Sequence, residues 1–211
     1  MVSMRHILLV ILFLVSLLLY CDNPFLPPSG KPNHSSSRRT DPQKIINQLV
    51  ESYINKRIEL FIDLLPKDQS YRFYVAPSFE SMYQRKYNSS HSERPDQFMV
   101  HVNTAQNYFY WTQKQEIESH RKMFGDNVNI EFTTYPEISE INYIVESDND
   151  TIYAEILTSG GEFIITVTVS QTRAEKYTAS IEQQVFLLRK DDEGLWTIQK
   201  WYDLSSAPSL D

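Results

Sequence analysis

Hydrophobic positions recur along this chain at two different periods, and the change of period divides it. From Ile138 to Tyr202 apolar residues alternate with polar ones: Ile152, Ala154 and Ile156, then Phe163, Ile165, Val167 and Val169, then Ile181, Val185 and Leu187, and finally Trp196 and Ile198. Period two sends successive side chains to opposite faces of a strand, so this region is predicted to be an antiparallel meander with one buried face. Asp148-Asn149-Asp150, Ser159-Gly160-Gly161 and Asp191-Asp192-Glu193-Gly194 close the runs, and such residues tolerate the left-handed backbone of tight hairpins.

Upstream the period is helical. Ile46, Leu49, Val50, Tyr53, Ile54, Ile58, Phe61 and Leu64 recur at spacings of three and four. They predict one amphipathic helix from Asp41 to Leu65, opened by the cap sequence Thr40-Asp41-Pro42-Gln43 and stopped before Pro66. An aromatic stretch from Tyr71 to Tyr87 reads as a short extended piece followed by a short helix. A second helical region is expected between Asp96 and Phe124; it includes Tyr108, Phe109, Tyr110 and Trp111 and ends at Gly125-Asp126-Asn127. Val128, Ile130 and Phe132 then alternate as a strand leading into the meander.

The first residues follow neither period. Arg5 and His6 precede an unbroken apolar run from Ile7 to Tyr20. As a helix that run would be roughly 21 Å long, short of the roughly 30 Å a spanning helix must cross. Residues 1–21 are therefore expected to be a cleaved signal peptide, with a type II signal anchor as the alternative. The bulky Leu19 and Tyr20 suit cleavage poorly, and Tyr20 also fits badly with lipid attachment at Cys21. Residues 22–40 carry prolines 24, 27, 28 and 32 among polar residues and read as a disordered linker, in which Arg38-Arg39 is a dibasic pair. Residues 206–211 are a C-terminal tail. Three Asn-x-Ser/Thr acceptors, at Asn33, Asn88 and Asn149, each fall in an expected loop. Together with the leader they predict a glycoprotein of the secretory lumen or the outside of the cell.

The remaining 41–205 suits one globular domain, since 211 residues at 41% hydrophobic content can bury one substantial core. A net charge of -7 argues against a nucleic-acid partner, which needs a basic face. Cys21 is the one cysteine, so the domain can form neither an internal disulfide nor a thiolate metal site. Five glycines and no Gly-x-Ser-x-Gly, Walker or dinucleotide motif remove serine-hydrolase and nucleotide-dependent readings, and no cofactor is expected.

The opening helix, and the terminal pair Val185-Phe186-Leu187-Leu188-Arg189-Lys190 with Leu195-Trp196-Thr197-Ile198, resemble the nuclear transport factor 2-like superfamily, and in particular its secreted single-domain animal members. The likeness covers about Asp41 to Ser205, and its Gly-turn and Trp-x-Ile signature serves packing. It implies an α+β cone: an N-terminal helix and short helices packed in a curved antiparallel sheet, with a cavity between them. Members of that superfamily include isomerases, dehydratases and cyclases as well as non-catalytic binding modules, so the fold does not choose the function. An enzyme on this plan would hold an Asp, Glu or His beside a Tyr inside the cone, with Asp96, His101, Glu155 and Glu182 as the residues to test.

The residues themselves lean away from catalysis. Tyr153, Glu155, Glu182 and Gln184 have the period of the outer sheet surface, and no catalytic residue is assigned. Glu116 and His120 share a helical face, but two side chains do not make a metal site, and His120 beside Arg121 and Lys122 reads as a cation at a helix C-terminus. No metal is expected. Tyr108, Tyr110, Trp111 and His101 are the ligand-pocket candidates, because aromatic rings with polar tips can line an apolar pocket. The expected role is binding a small apolar ligand or a protein partner, with a small isomerase or dehydratase as the alternative. A homodimer through the open sheet face, by Ile164, Thr166, Thr168, Gln184 and Phe186, is a further expectation.

Overall fold

The computed structural model describes residues 39–75, 91–146 and 151–205. The leader, Cys21, Arg38, the three glycan acceptors Asn33, Asn88 and Asn149, the short helix expected before Tyr87 and the tail 206–211 lie outside them. The described residues form an α+β fold with three α-helices and ten strands.

Helix α1, Pro42–Ile54, starts where the cap sequence predicts: Asp41 accepts the backbone N–H of Gln43 at 3.0 Å, and proline occupies the first turn. The long helix expected from Asp41 to Leu65 is nevertheless two. Lys56 turns the backbone to φ +49°, a conformation costing a non-glycine residue about 1 kcal/mol, and α2, Ile58–Ile62, restarts on a new axis. The same kink lets the Lys56 ammonium donate to the carbonyls of Val128 at 2.8 Å and Gly125 at 3.3 Å. An apolar stripe alone could not show this break, because Phe61 and Leu64 remain buried on both accounts.

The larger sheet has seven strands in the order β2-β3-β1-β10-β9-β6-β5. Their ranges are β1 Arg72–Val75, β2 Ser92–Glu93, β3 Tyr108–Thr112, β5 Glu137–Val145, β6 Ile152–Ser159, β9 Gln183–Lys190 and β10 Trp196–Asp203. Only the β1–β10 pair is parallel, and bulges in β5 and β10 bend the sheet. The second sheet joins β4, Val128–Thr134, to β7, Glu162–Ser170, and β8, Arg173–Ser180.

The meander is thus split. β6 pairs with β9, placing Ile156 opposite Phe186, while β7 and β8 leave the order to pair with β4. Tyr108 to Trp111, expected on a helix, form β3, whose register on β1 sets Trp111 opposite Phe73. Four consecutive aromatics suit a pleated strand better than a helix, where they would crowd one another around the axis.

The helices cover one face of the large sheet through Ile45, Leu49, Phe61, Leu64, Phe73, Trp111, Ile156, Phe186 and Ile198. The other face is also covered. There Met99 and Val102, from the segment before β3, pack on Tyr74, Tyr108, Val185, Leu187 and Tyr202. This overturns the expected placement of Glu155 at the solvent-facing side of β6: it is 0% exposed, because the 99–102 segment lies over it. Its carboxylate accepts backbone N–H groups from Val100 and His101, each at 3.1 Å, and the His101 ring nitrogen Nδ1 stands 3.3 Å away. Period two identifies the face a residue occupies; it does not say whether a loop covers that face.

Candidate functional site

Helix α3, Gln113–Met123, begins with a capping box in which Gln115 Oε1 accepts the Thr112 N–H at 2.9 Å. The inward face of α3 is polar. Gln113, Glu116 and His120 are its buried residues, at the three- and four-residue spacing normally held by apolar side chains. His120 is therefore not a solvated cation at a helix end: it is 4% exposed and its ring stacks on Phe61 at a centroid distance of 3.8 Å.

Hydrogen bonds define its tautomer. Nδ1 lies 3.0 Å from the Glu116 carbonyl oxygen, which can only accept, so Nδ1 carries the proton. Nε2 is then the acceptor and receives the Tyr53 hydroxyl at 2.7 Å. Burial pushes the His120 pKa down to about 4, so the ring is neutral near pH 7. Burial acts on Glu116 in the opposite sense, raising its pKa to about 8 despite the indole N–H that Trp111 donates to Oε2. The Tyr71 hydroxyl approaches the same carboxyl without the alignment of a regular hydrogen bond. Glu116 is 2% exposed and largely a neutral acid at pH 7.

These groups form the polar corner of a cavity of about 240 Å³ between α1, α3 and the sheet. Leu49, Val50, Met123, Phe132, Phe163 and Trp201 supply apolar wall. Tyr53 is the hub of the aromatic wall, edge-on to Phe124 at 5.4 Å, Phe163 at 6.2 Å and Phe132 at 6.3 Å. Asp203, at the end of β10, lines the same cavity; burial raises its pKa, while it accepts the Ser205 N–H at 3.1 Å. The arrangement offers a neutral acid, a neutral imidazole and a second carboxyl to whatever occupies the space.

Of the four residues expected to line a pocket, Trp111 does so. The alternation of β3 turns Tyr108 and Tyr110 to the other side of the sheet. Tyr108 packs edge-on to Tyr202 at 5.5 Å, and Tyr110 stacks near His91 and under the Arg72 guanidinium. His101 bridges Glu155 and the exposed Glu140, whose Oε2 is 3.1 Å from Nε2. Asp96, His101, Glu155 and Glu182 are not among the residues lining the cavity. The groups that are, Glu116, His120 and Tyr53, carried one legible signal: a tyrosine inside an apolar stripe needs a partner for its hydroxyl. Among the described residues, no three His, Cys, Asp or Glu side chains are placed to hold a metal ion, and no helix is long and apolar enough to cross a membrane.

Replacing Tyr53 by Phe is expected to cost about 1 to 2 kcal/mol, because His120 Nε2 is left buried without a donor. Urea denaturation of the variant near pH 7 measures it, and a midpoint equal to wild type would show that the Tyr53–His120 bond contributes nothing.

The described residues thus form an α+β fold in which helices seat on a bent, mainly antiparallel sheet beside a cavity. No family model matches the chain, and no curated protein does. Among solved structures it is similar to a conserved protein from Planctomyces limnophilus, at 11% identity and a TM-score of 0.46 over 76% of this chain and 89% of that one. It is also similar to a ketosteroid isomerase-like protein from Erwinia carotovora, at 16% identity and a TM-score of 0.41 over 81% and 95%. A nuclear transport factor 2-like superfamily protein from Salmonella enterica aligns at 11% identity and a TM-score of 0.42 over 82% and 94%. No residue role is carried from these structures to this chain.

Proposed function

We propose that this protein binds a small, mainly apolar molecule in the cavity between α1, α3 and the sheet, and that it does so as a glycoprotein of the secretory lumen or the extracellular space. The observation that supports binding is the combination of apolar walls with a few fixed polar groups, above all the corner where Glu116, His120 and Tyr53 are held by one another and by Trp111. Small-molecule sites have that composition: apolar area for affinity and a few fixed polar groups for orientation.

The test uses the fluorescence of Trp111 and Trp201, both in the cavity wall. The chain is titrated with three small aryl solutes of one skeleton: 1-phenylethanol, 2-amino-1-phenylethanol and mandelate. Saturable quenching by at least one, lost on filling the cavity by Val50→Phe, is expected. The binding reading fails if none of the three saturates, or if Val50→Phe leaves saturation unchanged. The cellular part has its own test: expression in animal cells should yield protein in the medium or lumen that loses mass on glycosidase treatment. Cytosolic protein without that shift overturns it.

A second reading, proton transfer of the isomerase or dehydratase kind, is favoured by one observation. Glu116 stays protonated near neutral pH while Asp203 lines the same cavity, so one group could donate a proton and the other accept one. It expects deuterium from heavy water to enter the C–H position beside the carbonyl of a small aryl ketone, faster with wild type than with Glu116→Gln. Equal rates would remove it.

A further inference from the structure

The cavity that supports the proposed function has a lopsided charge inventory. Its lining contains Glu116 and Asp203 and neither a lysine nor an arginine. Both His120 ring nitrogens are engaged, Nε2 by the Tyr53 hydroxyl and Nδ1, which stands 3.5 Å from Glu116 Oε1, by the Glu116 carbonyl, so the imidazole supplies no free cation to either carboxyl. Around these acids stand the rings of Tyr53, Trp111, Phe132, Phe163 and Trp201. A π-face is negative at its centre, so rings and carboxyls favour the same guest. Trp201 adds an independent requirement. It is 5% exposed, its indole N–H has no hydrogen-bond partner, and a buried donor without an acceptor is costly.

From these three features we infer that the ligand of this cavity is a small protonated amine with an apolar body and one hydroxyl or carbonyl oxygen. The ammonium faces Glu116 and Asp203, the body packs on the aromatic wall, and the oxygen accepts from the Trp201 N–H. Anions are disfavoured because the lining offers them no cation. A neutral molecule of equal shape is bound more weakly, because it gains no attraction from the carboxyl oxygens or the ring faces. The ammonium also draws the Glu116 proton off into solvent, since an adjacent cation favours the ionised carboxylate.

This inference rests on the binding reading above, and the three aryl solutes separate the two. All three carry the same benzylic hydroxyl, and they differ in having an ammoniomethyl, a methyl or a carboxylate group on the same carbon. Calorimetric titration of the purified chain at pH 7 is expected to rank 2-amino-1-phenylethanol about tenfold tighter than 1-phenylethanol, with mandelate weakest. Repeating the amine titration in two buffers of different ionisation enthalpy should reveal net proton release. Glu116→Gln should abolish that release and weaken the amine more than it weakens 1-phenylethanol. If 1-phenylethanol or mandelate binds as tightly as the amine, or if no proton is released, the amine assignment is overturned and the binding reading stands. If none of the three binds, both fall.

Discussion

Wild-type protein is expected to lose stability between pH 6.5 and pH 8, and substituting Glu116 by Gln is expected to abolish that loss. In the folded chain the Glu116 pKa stands at about 8, against an ordinary value of 4.5. Between those two values the folded state keeps a proton that the unfolded state has released, so stability falls as pH rises. His120 works at the other end: its pKa drops from 6.5 to about 4, so its contribution is lost as pH falls below 6.5. Above pH 6.5 the Glu116 effect therefore stands without its counterpart from His120. The 1.5-unit interval corresponds to about 2 kcal/mol at 1.36 kcal/mol per unit. Gln preserves an acceptor for the Trp111 indole N–H and has nothing to titrate. Urea midpoints for both proteins at pH 6.5 and pH 8 decide the matter, and equal slopes would mean that Glu116 is ionised in the folded protein.

The second large effect is expected at Glu155, on the opposite face of the sheet. Glu155→Ala strands the N–H groups of Val100 and His101 beneath a covering segment and leaves a void where a carboxylate stood. Loss of a buried acceptor of this kind costs about 3 kcal/mol. Glu155→Gln keeps one acceptor oxygen and should lose about half as much. Because the damage is local, amide exchange at Val100 and His101 should accelerate more than exchange in β9 and β10. An alanine variant as stable as wild type would show that the 99–102 segment is held by Met99 and Val102 alone.

These two residues also show what the amino-acid pattern conveyed. The start of α1 was legible because capping has a local chemistry, Asp41 and Pro42 within one turn. Strands β4, β6 and β10 were legible because one apolar face meets the helices; β9 was legible as a strand but with its faces exchanged, since Phe186, expected on the open face, packs toward the helices while Val185 and Leu187 lie under the 99–102 segment. What escaped was set by contacts distant in sequence. Glu155 has the alternation of a solvent-facing residue and is buried by a loop more than fifty positions away. Glu116 and His120 occupy the inward stripe of α3, where polarity argues for exposure until Trp111, Tyr53 and Phe61 are brought to meet them. β3 reads as helix in the sequence because Tyr108, Phe109, Tyr110 and Trp111 have no alternation: both faces of the strand are covered, so both are aromatic. β8 leaves no strand signal for the opposite reason, since Arg173, Glu175, Lys176 and Thr178 are polar whichever way they point.

That polarity has a consequence for solubility. β8 is the outermost strand of the three-stranded sheet, with backbone N–H and C=O groups on one side left to water. Such an edge is a template on which another extended chain can add, and its neighbour β7 carries Ile164, Val167 and Val169 to reward the addition. Arg173, Glu175 and Lys176 place charge of both signs along that border, where an incoming strand would have to strip their hydration before its first backbone bond formed. The strand with the weakest apolar pattern in the sequence thus guards one edge of this sheet against growth.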